Sequence, residues 1–141
     1  CGIGTIWLSM AKEAKRIVGV EIVESAVENA KKNAELNGFD NAEFYCADAD
    51  SAAEILRKSG VKPDVIILDP ARKGCDRKVL EELSELGAER IVMISCNPAT
   101  AARDCGALEE LGYRCDVVRG VDLFSRTCHV ETVVLLQRKT L

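Results

Sequence analysis

The sequence predicts an α/β fold: a mostly parallel sheet closed by a C-terminal antiparallel hairpin, with the first strand of the sheet absent. Three observations carry that reading. Short apolar runs such as Val65-Ile-Ile-Leu68 and Ile91-Val-Met-Ile94 alternate with stretches whose apolar residues recur at helical spacing. The Val65–Leu68 run has no polar alternation, as in a central parallel strand covered on both faces. From Tyr113 onward two β-rich segments, Cys115 to Phe124 and His129 to Arg138, follow one another across only Ser125-Arg-Thr-Cys128, with no helix between.

Composition narrows the class. A chain of 141 residues has room for one domain, taken as 1–141. With 48% hydrophobic and 30% charged residues it can bury a core, which excludes a disordered tail. Apolar runs stay short of membrane-spanning length and no leader pattern opens the chain, so the expected setting is cytoplasmic, without a membrane partner. Seven scattered cysteines with no Cys-x-x-Cys pair point to reduced thiols and to no metal site. A net charge of −4 gives no general attraction to nucleic acid, so any RNA contact needs a local patch.

Taken in order, the chain opens on Cys1-Gly-Ile-Gly-Thr5, with Ile3, Ile6, Trp7, Met10, Ala11 and Ala14 then at helical spacing. The strand that normally precedes such a glycine turn is not there. Two glycines alone also fit an ordinary tight turn. A strand over Arg16–Ile22 follows and ends at Glu21, 17 residues after Gly4. Nucleotide-binding α/β folds place a ribose-binding carboxylate at about that distance (~20 residues). The next helix shows Val23, Val27, Ala30 and Ala34 on one face and stops at Gly38. Ala42–Asp48 is a further strand. Asp48 either accepts from an adenine amino group or caps the short helix starting near Asp50, whose core face is Ala52, Ala53, Ile55 and Leu56.

The strand Asp64–Asp69 leads into Pro70-Ala-Arg-Lys-Gly74, and Arg72, Lys73, Arg77 and Lys78 crowd this loop. They form either a solvated surface or a basic rim for a phosphate backbone. Val79, Leu80, Leu83 and Leu86 mark the next helix. The apolar run from Ile91 then stops at Cys96, where Asn97 suits a helix cap and Pro98 a first helical residue. That puts the Cys96 thiol at the carboxyl end of a strand, facing a helix N-terminus that favours thiolate. A buried structural cysteine is the competing reading. Ala101, Cys105 and Leu108 give the following helix its core face. In the last strand His129, Glu131 and Val133 share one side. Glu131 lies in the apolar stretch Val130–Leu136, where burial raises a carboxyl pKa and suits it to proton transfer; an edge charge that discourages aggregation is the alternative. His129 reads as a structural neighbour.

Four stretches together resemble a known family: Cys1-Gly-Ile-Gly-Thr5, Leu68-Asp-Pro-Ala-Arg-Lys-Gly74, Ser95-Cys-Asn-Pro98, and Asp122-Leu-Phe with His129-Val-Glu131. In that order they are similar to the RNA uracil-C5 methyltransferases of bacterial 23S rRNA and tRNA, within the class I, Rossmann-like S-adenosylmethionine-dependent methyltransferases. The resemblance covers essentially the whole chain. It implies Cys96 as the nucleophile that adds to carbon 6 of uracil and Glu131 as the base that removes the carbon 5 proton. It further implies S-adenosylmethionine contacts at Gly2, Gly4, Glu21, Ile22, Asp48 and Asp69, with Arg72, Asn97 and Pro98 facing substrate RNA. The expected acceptor is a uridine of 23S rRNA, with tRNA, another methyl acceptor such as cytosine, or a non-catalytic nucleotide-binding role as alternatives. Ser125 stands where the family usually has proline. Without the first strand and the RNA-gripping β-barrel of many members, weak cofactor binding and poor turnover are expected of these 141 residues alone.

Overall fold

Apolar side chains gather into two separate clusters along the chain. A computed structural model describes residues 1–58, 60 and 62–140, and these divide into two units, Cys1–Ile55 and Leu56–Leu141.

The first unit begins with a turn in which Gly4 N–H donates to the Cys1 carbonyl at 3.2 Å, Gly4 itself lying at φ 88°. Helix α1 spans only Thr5–Ser9. The helical pattern continued to Ala14, but Gly4 offers no side chain to cap the first turn, and the chain turns after Ser9, leaving Ile3 and Met10 exposed. Strand β1 (Ile17–Glu21), helix α2 (Glu24–Leu36) and strand β2 (Ala42–Cys46) follow. β1 and β2 are parallel, in register from Ile17 against Ala42 to Glu21 against Cys46. Val27, Ala30 and Ala34 of α2 bury against Phe44, whereas Val23 is the exposed N-cap instead of part of that face. A Cβ on Gly19 would collide with the Phe44 ring, so the strand needs glycine there. Helix α3 (Ala49–Lys58) runs across the boundary between the units.

The second unit holds β3 (Val65–Leu68), α4 (Arg77–Glu85), β4 (Arg90–Ser95), α5 (Pro98–Glu110), β5 (Tyr113–Val121) and β6 (Glu131–Arg138). Its four-stranded sheet has the order β3-β4-β6-β5, with β3 parallel to β4 and β6 antiparallel to both neighbours. Parallel strands followed by an antiparallel hairpin are thus as expected, with the pairings shared between two sheets. β3 differs from expectation: it pairs on one side only within its sheet, and Val65 is 40% exposed. β4 is the interior strand. Ile91, Met93, Val134 and Leu136 from β4 and β6 pack with Val79, Leu80 and Leu83 of α4 and Ala101, Cys105 and Leu108 of α5. Fully burying a side chain of that size contributes roughly 1.5–3 kcal/mol, so this core outweighs the alanine-rich one of the first unit.

The connection between β5 and β6 is also longer than expected, occupying 122–130. Thr127 closes a local turn there, its N–H and hydroxyl both donating to the Phe124 carbonyl at 3.1 and 2.7 Å, with Arg126 at φ 66°. His129, expected on the strand, precedes it, its ring edge-on to Phe124 at 6.3 Å. None of the described helices is long and apolar enough to cross a membrane.

Candidate active site

In the first unit the glycine turn and the end of β1 meet, as the sequence spacing predicted. Glu21 Oε2 accepts from the Gly2 N–H at 2.7 Å and lies 2.9 Å from the Cys1 amino group. Oε1 accepts from the N–H groups of Ile22 and Val23 at 2.9 and 3.1 Å. Partial burial pushes this carboxyl upward, but hydrogen bonds from the Cys1 nitrogen and from the N–H groups of Gly2 and Val23 outweigh it and lower the pKa. Glu21 is therefore an anion clamped by main-chain donors. Ile22 contributes its N–H, its side chain being exposed. Asn33 of α2 donates to the Ile3 carbonyl at 3.0 Å, and a Cβ on Gly4 would crowd Ala30, so the turn is held close to α2. Asp48 acts as a cap, accepting from Ser51 N–H at 2.8 Å ahead of α3. That is one of the two roles its position allowed.

In the second unit the register of β4 and β6 decides the geometry. Pairing runs from Arg90 against Gln137 to Ser95 against Thr132. Cys96 follows Ser95 just past the end of β4, and Glu131 precedes Thr132 as the first residue of β6, so both flank the last pair of this ladder. Residues opposite one another in an antiparallel pair have Cβ atoms about 4.5–5.5 Å apart, on the same face. Burial tells which face. Ile91, Met93 and Ser95 are buried on the helix-covered side together with Thr132, Val134 and Leu136. Cys96 and Glu131 are half-buried, as are Ile94 and Val133 on the other series.

The elbow around Cys96 is built from its neighbours' polar groups. The Ser95 hydroxyl, on a residue that is 1% exposed, lies 3.2 Å from both the N–H and the carbonyl of Asn97. Asn97 Oδ1 accepts from Ala99 N–H at 3.1 Å, capping α5 with Pro98 in the first turn. The other end of that amide donates to the Arg72 carbonyl at 3.1 Å. Thr100 Oγ1 lies 3.3 Å from the same carbonyl. Both ends of the Asn97 amide engage the chain's own backbone. Pro98, Asp69 and Arg72 are at the surface or partly so.

The basic rim is thinner than its sequence suggested. Arg77 pairs with Glu110 at 2.7 Å and Glu81 at 3.0 Å, Lys78 lies 3.7 Å from Glu82, and Lys73 lies 3.7 Å from Asp76. Helix spacing explains the Arg77–Glu81 and Lys78–Glu82 pairs, since residues four apart on a helix face one another. Arg72 has no acid within ion-pair distance among the described residues. The cysteines also separate. Burial pushes the thiols of Cys75 and Cys105 up to about 11, so both stay protonated near neutrality. All seven thiols are free, and no group of His, Cys, Asp and Glu that could hold a metal occurs among the described residues.

Two residues escaped the sequence reading. Asp104 shares the buried stripe of α5 with Ala101, Cys105 and Leu108, and a charge on that stripe was the visible signal. Its neighbour Arg103 could be assigned only from coordinates.

The fold, parallel strands followed by a crossed antiparallel hairpin, is that of S-adenosylmethionine-dependent methyltransferases. The chain superposes with a TM-score of 0.74 on magnesium protoporphyrin IX methyltransferase from Synechocystis, solved with bound SAM, at 16% identity over 99% of this chain and 67% of that one. The tRNA (uracil-5-)-methyltransferase family matches residues 1–139, and the chain belongs to that family. It is similar to the Pyrococcus abyssi tRNA (uracil-54, C5)-methyltransferase, solved with S-adenosyl-L-homocysteine, at TM-score 0.82 and 36% identity over 96% of this chain and 32% of that one. Uncharacterized RNA methyltransferases of Clostridium tetani and Bacillus cereus are 48% and 49% identical over 96% and 98% of this chain. The chain spans 30% of the length of each.

Proposed function

We infer that residues 1–141 form the catalytic domain of an S-adenosylmethionine-dependent RNA (uracil-5-)-methyltransferase, working in the cytoplasm on RNA. The observation that supports it most is the β4–β6 register, whose last pair, Ser95 against Thr132, has Cys96 and Glu131 as its immediate neighbours. Carbon 5 of uracil is a poor nucleophile. The Cys96 thiolate adds to carbon 6, and the electron pair displaced onto carbon 5 attacks the methyl group. The bound cofactor supplies that methyl as an electrophilic sulfonium and leaves as the neutral thioether. Glu131 then takes the carbon 5 proton, the ring electrons return, and the carbon–sulfur bond to Cys96 breaks. The acceptor base has to leave its stack to be held this way.

Gly2, Gly4, Glu21 and Ile22 suit the nucleoside part of the cofactor: the turn brings backbone close, and the Glu21 carboxylate held beside it suits ribose hydroxyls. Asp48 serves the adenine side and Asp69 the methionine end. Arg72 and Pro98 face RNA, and Asn97 shapes the elbow between them. The expected acceptor is a uridine of 23S rRNA. A tRNA acceptor is the second reading, favoured by the 36% identity to the P. abyssi tRNA enzyme.

The test uses the full-length gene product. Incubation with S-adenosylmethionine and 5-fluorouridine-containing RNA is expected to give a covalent protein–RNA species, and Cys96→Ala to abolish it. An adduct that survives Cys96→Ala overturns the reading. Running 23S rRNA segments and tRNA transcripts in parallel separates the two acceptors.

A further inference from the structure

Among the described residues, Asp104 is the only charged residue in the buried class, at 1% exposure. A carboxylate is retained in such a place only if it is paired and hydrogen-bonded. Both oxygens are engaged. Oδ2 accepts from Cys75 N–H at 2.7 Å, and Oδ1 accepts from Arg103 Nε and Nη2 at 2.8 and 2.7 Å. The same Arg103 Nη2 reaches the carbonyls of Lys73 and Cys75 at 2.9 and 3.2 Å. Between them Gly74 lies at φ 79°, its N–H donating to the Ala71 carbonyl at 2.8 Å, and a Cβ there would strike both Arg103 and Asp104. The backbone of the loop after β3 is therefore held at residues 73 and 75 by the second turn of α5. It is held again at residue 72 by Asn97 and Thr100 of the first turn.

Apolar residues of similar volume would stabilise this contact as well or better. What the polar set adds is direction: three loop carbonyls and one N–H are each tied to a fixed point on the helix that begins two residues after Cys96.

We propose that Arg103 and Asp104 are positioning residues, which fix the Asp69–Asp76 loop, and with it Asp69 and Arg72, relative to Cys96. This rests on the reading of Cys96 as the nucleophile and of Asp69 as a cofactor contact. A displacement of about 1 Å at reacting groups can cost on the order of 10²-fold in rate.

The experiment compares Arg103→Gln, Arg103→Lys and Asp104→Asn in the full-length gene product, with Cys96→Ala beside them, measuring kcat, both KM values and the melting midpoint. Arg103 is 57% exposed at its side chain, so Arg103→Gln is expected to fold. The expected result for Arg103→Gln is a KM for S-adenosylmethionine raised about tenfold and kcat lowered about tenfold. Its melting midpoint falls, because Asp104 loses its cation, and its KM for RNA rises as well, because Arg72 sits in the same loop. Arg103→Lys, which keeps a cation on Asp104, recovers part of both. A purely structural role scales kcat with the folded fraction and leaves both KM values alone, and that result overturns the proposal even if Asp104→Asn fails to fold. Residual methylation by Cys96→Ala overturns the underlying reading instead.

Discussion

The Glu21 turn of the first unit and the Cys96 elbow of the second are held in opposite ways. Glu21 is clamped by backbone N–H groups of Gly2, Ile22 and Val23. Substitution cannot remove those donors, and Gly4 supplies only the conformation that brings them in. The Cys96 elbow is held by side chains, from Ser95 and Asn97 through Thr100 to Arg103 and Asp104. A site built on main chain tolerates changes to everything except its carboxylate and glycines. A site built on side chains has many separate points of failure, and the larger apolar core beneath it steadies them.

The sharpest way to break this contrast is chemical. Glu131→Gln is expected to lower product formation by about 10²–10⁴-fold while the protein–RNA adduct accumulates, because addition to Cys96 precedes proton removal. Denaturing gels of trapped complexes check this; a variant that turns over normally removes Glu131 from the mechanism. Next in size, Gly74→Ala meets both a left-handed backbone and the Arg103–Asp104 pair, and is expected to destabilise by about 2–3 kcal/mol in denaturant titration. Glu21 sharpens the other side. Its folded pKa is lowered from the usual 4.5, so below that value the unfolded chain binds more protons. Its contribution is present above pH 4.5 and is lost as pH falls below it. Glu21→Gln is expected to flatten the stability profile in that window, measured by circular dichroism. The smallest effect belongs to Asn97→Ala, which removes a cap worth ~1 kcal/mol and frees the Arg72 carbonyl.

The sequence carried the element order well wherever an amphipathic face was regular. Val79, Leu80, Leu83 and Leu86 are all buried, as are Ala101, Cys105 and Leu108. It carried the Asn97-Pro98 cap for the same local reason, since a cap depends on neighbours in the chain. It failed where tertiary context decides. Ile3 and Met10 kept helical spacing without a helix to join, and Val65 belongs to a strand that pairs on one side within its sheet. The hairpin connection ran longer than its four apparent residues, because Thr127 and Arg126 build a turn of their own. At the site, motif spacing placed Glu21 near the glycine turn. The basic rim misled, because Arg77 and Lys78 pair with Glu81 and Glu82 one helical turn on and Arg77 also reaches Glu110. Asp104 was visible only as an anomaly on an apolar stripe.

The central claim, that the Cys96 sulfur and the Glu131 carboxylate face one another across the β4–β6 ladder, is tested most directly by Glu131→Cys. Opposed residues in an antiparallel pair have Cα atoms about 4.5–5.5 Å apart, within the range a disulfide spans. Mild oxidation of the full-length gene product carrying this change is expected to yield a peptide cross-linked between residues 96 and 131 by mass spectrometry, absent when Cys96→Ser is added. An oxidised protein whose residue 131 thiol stays free, or pairs elsewhere, contradicts the account.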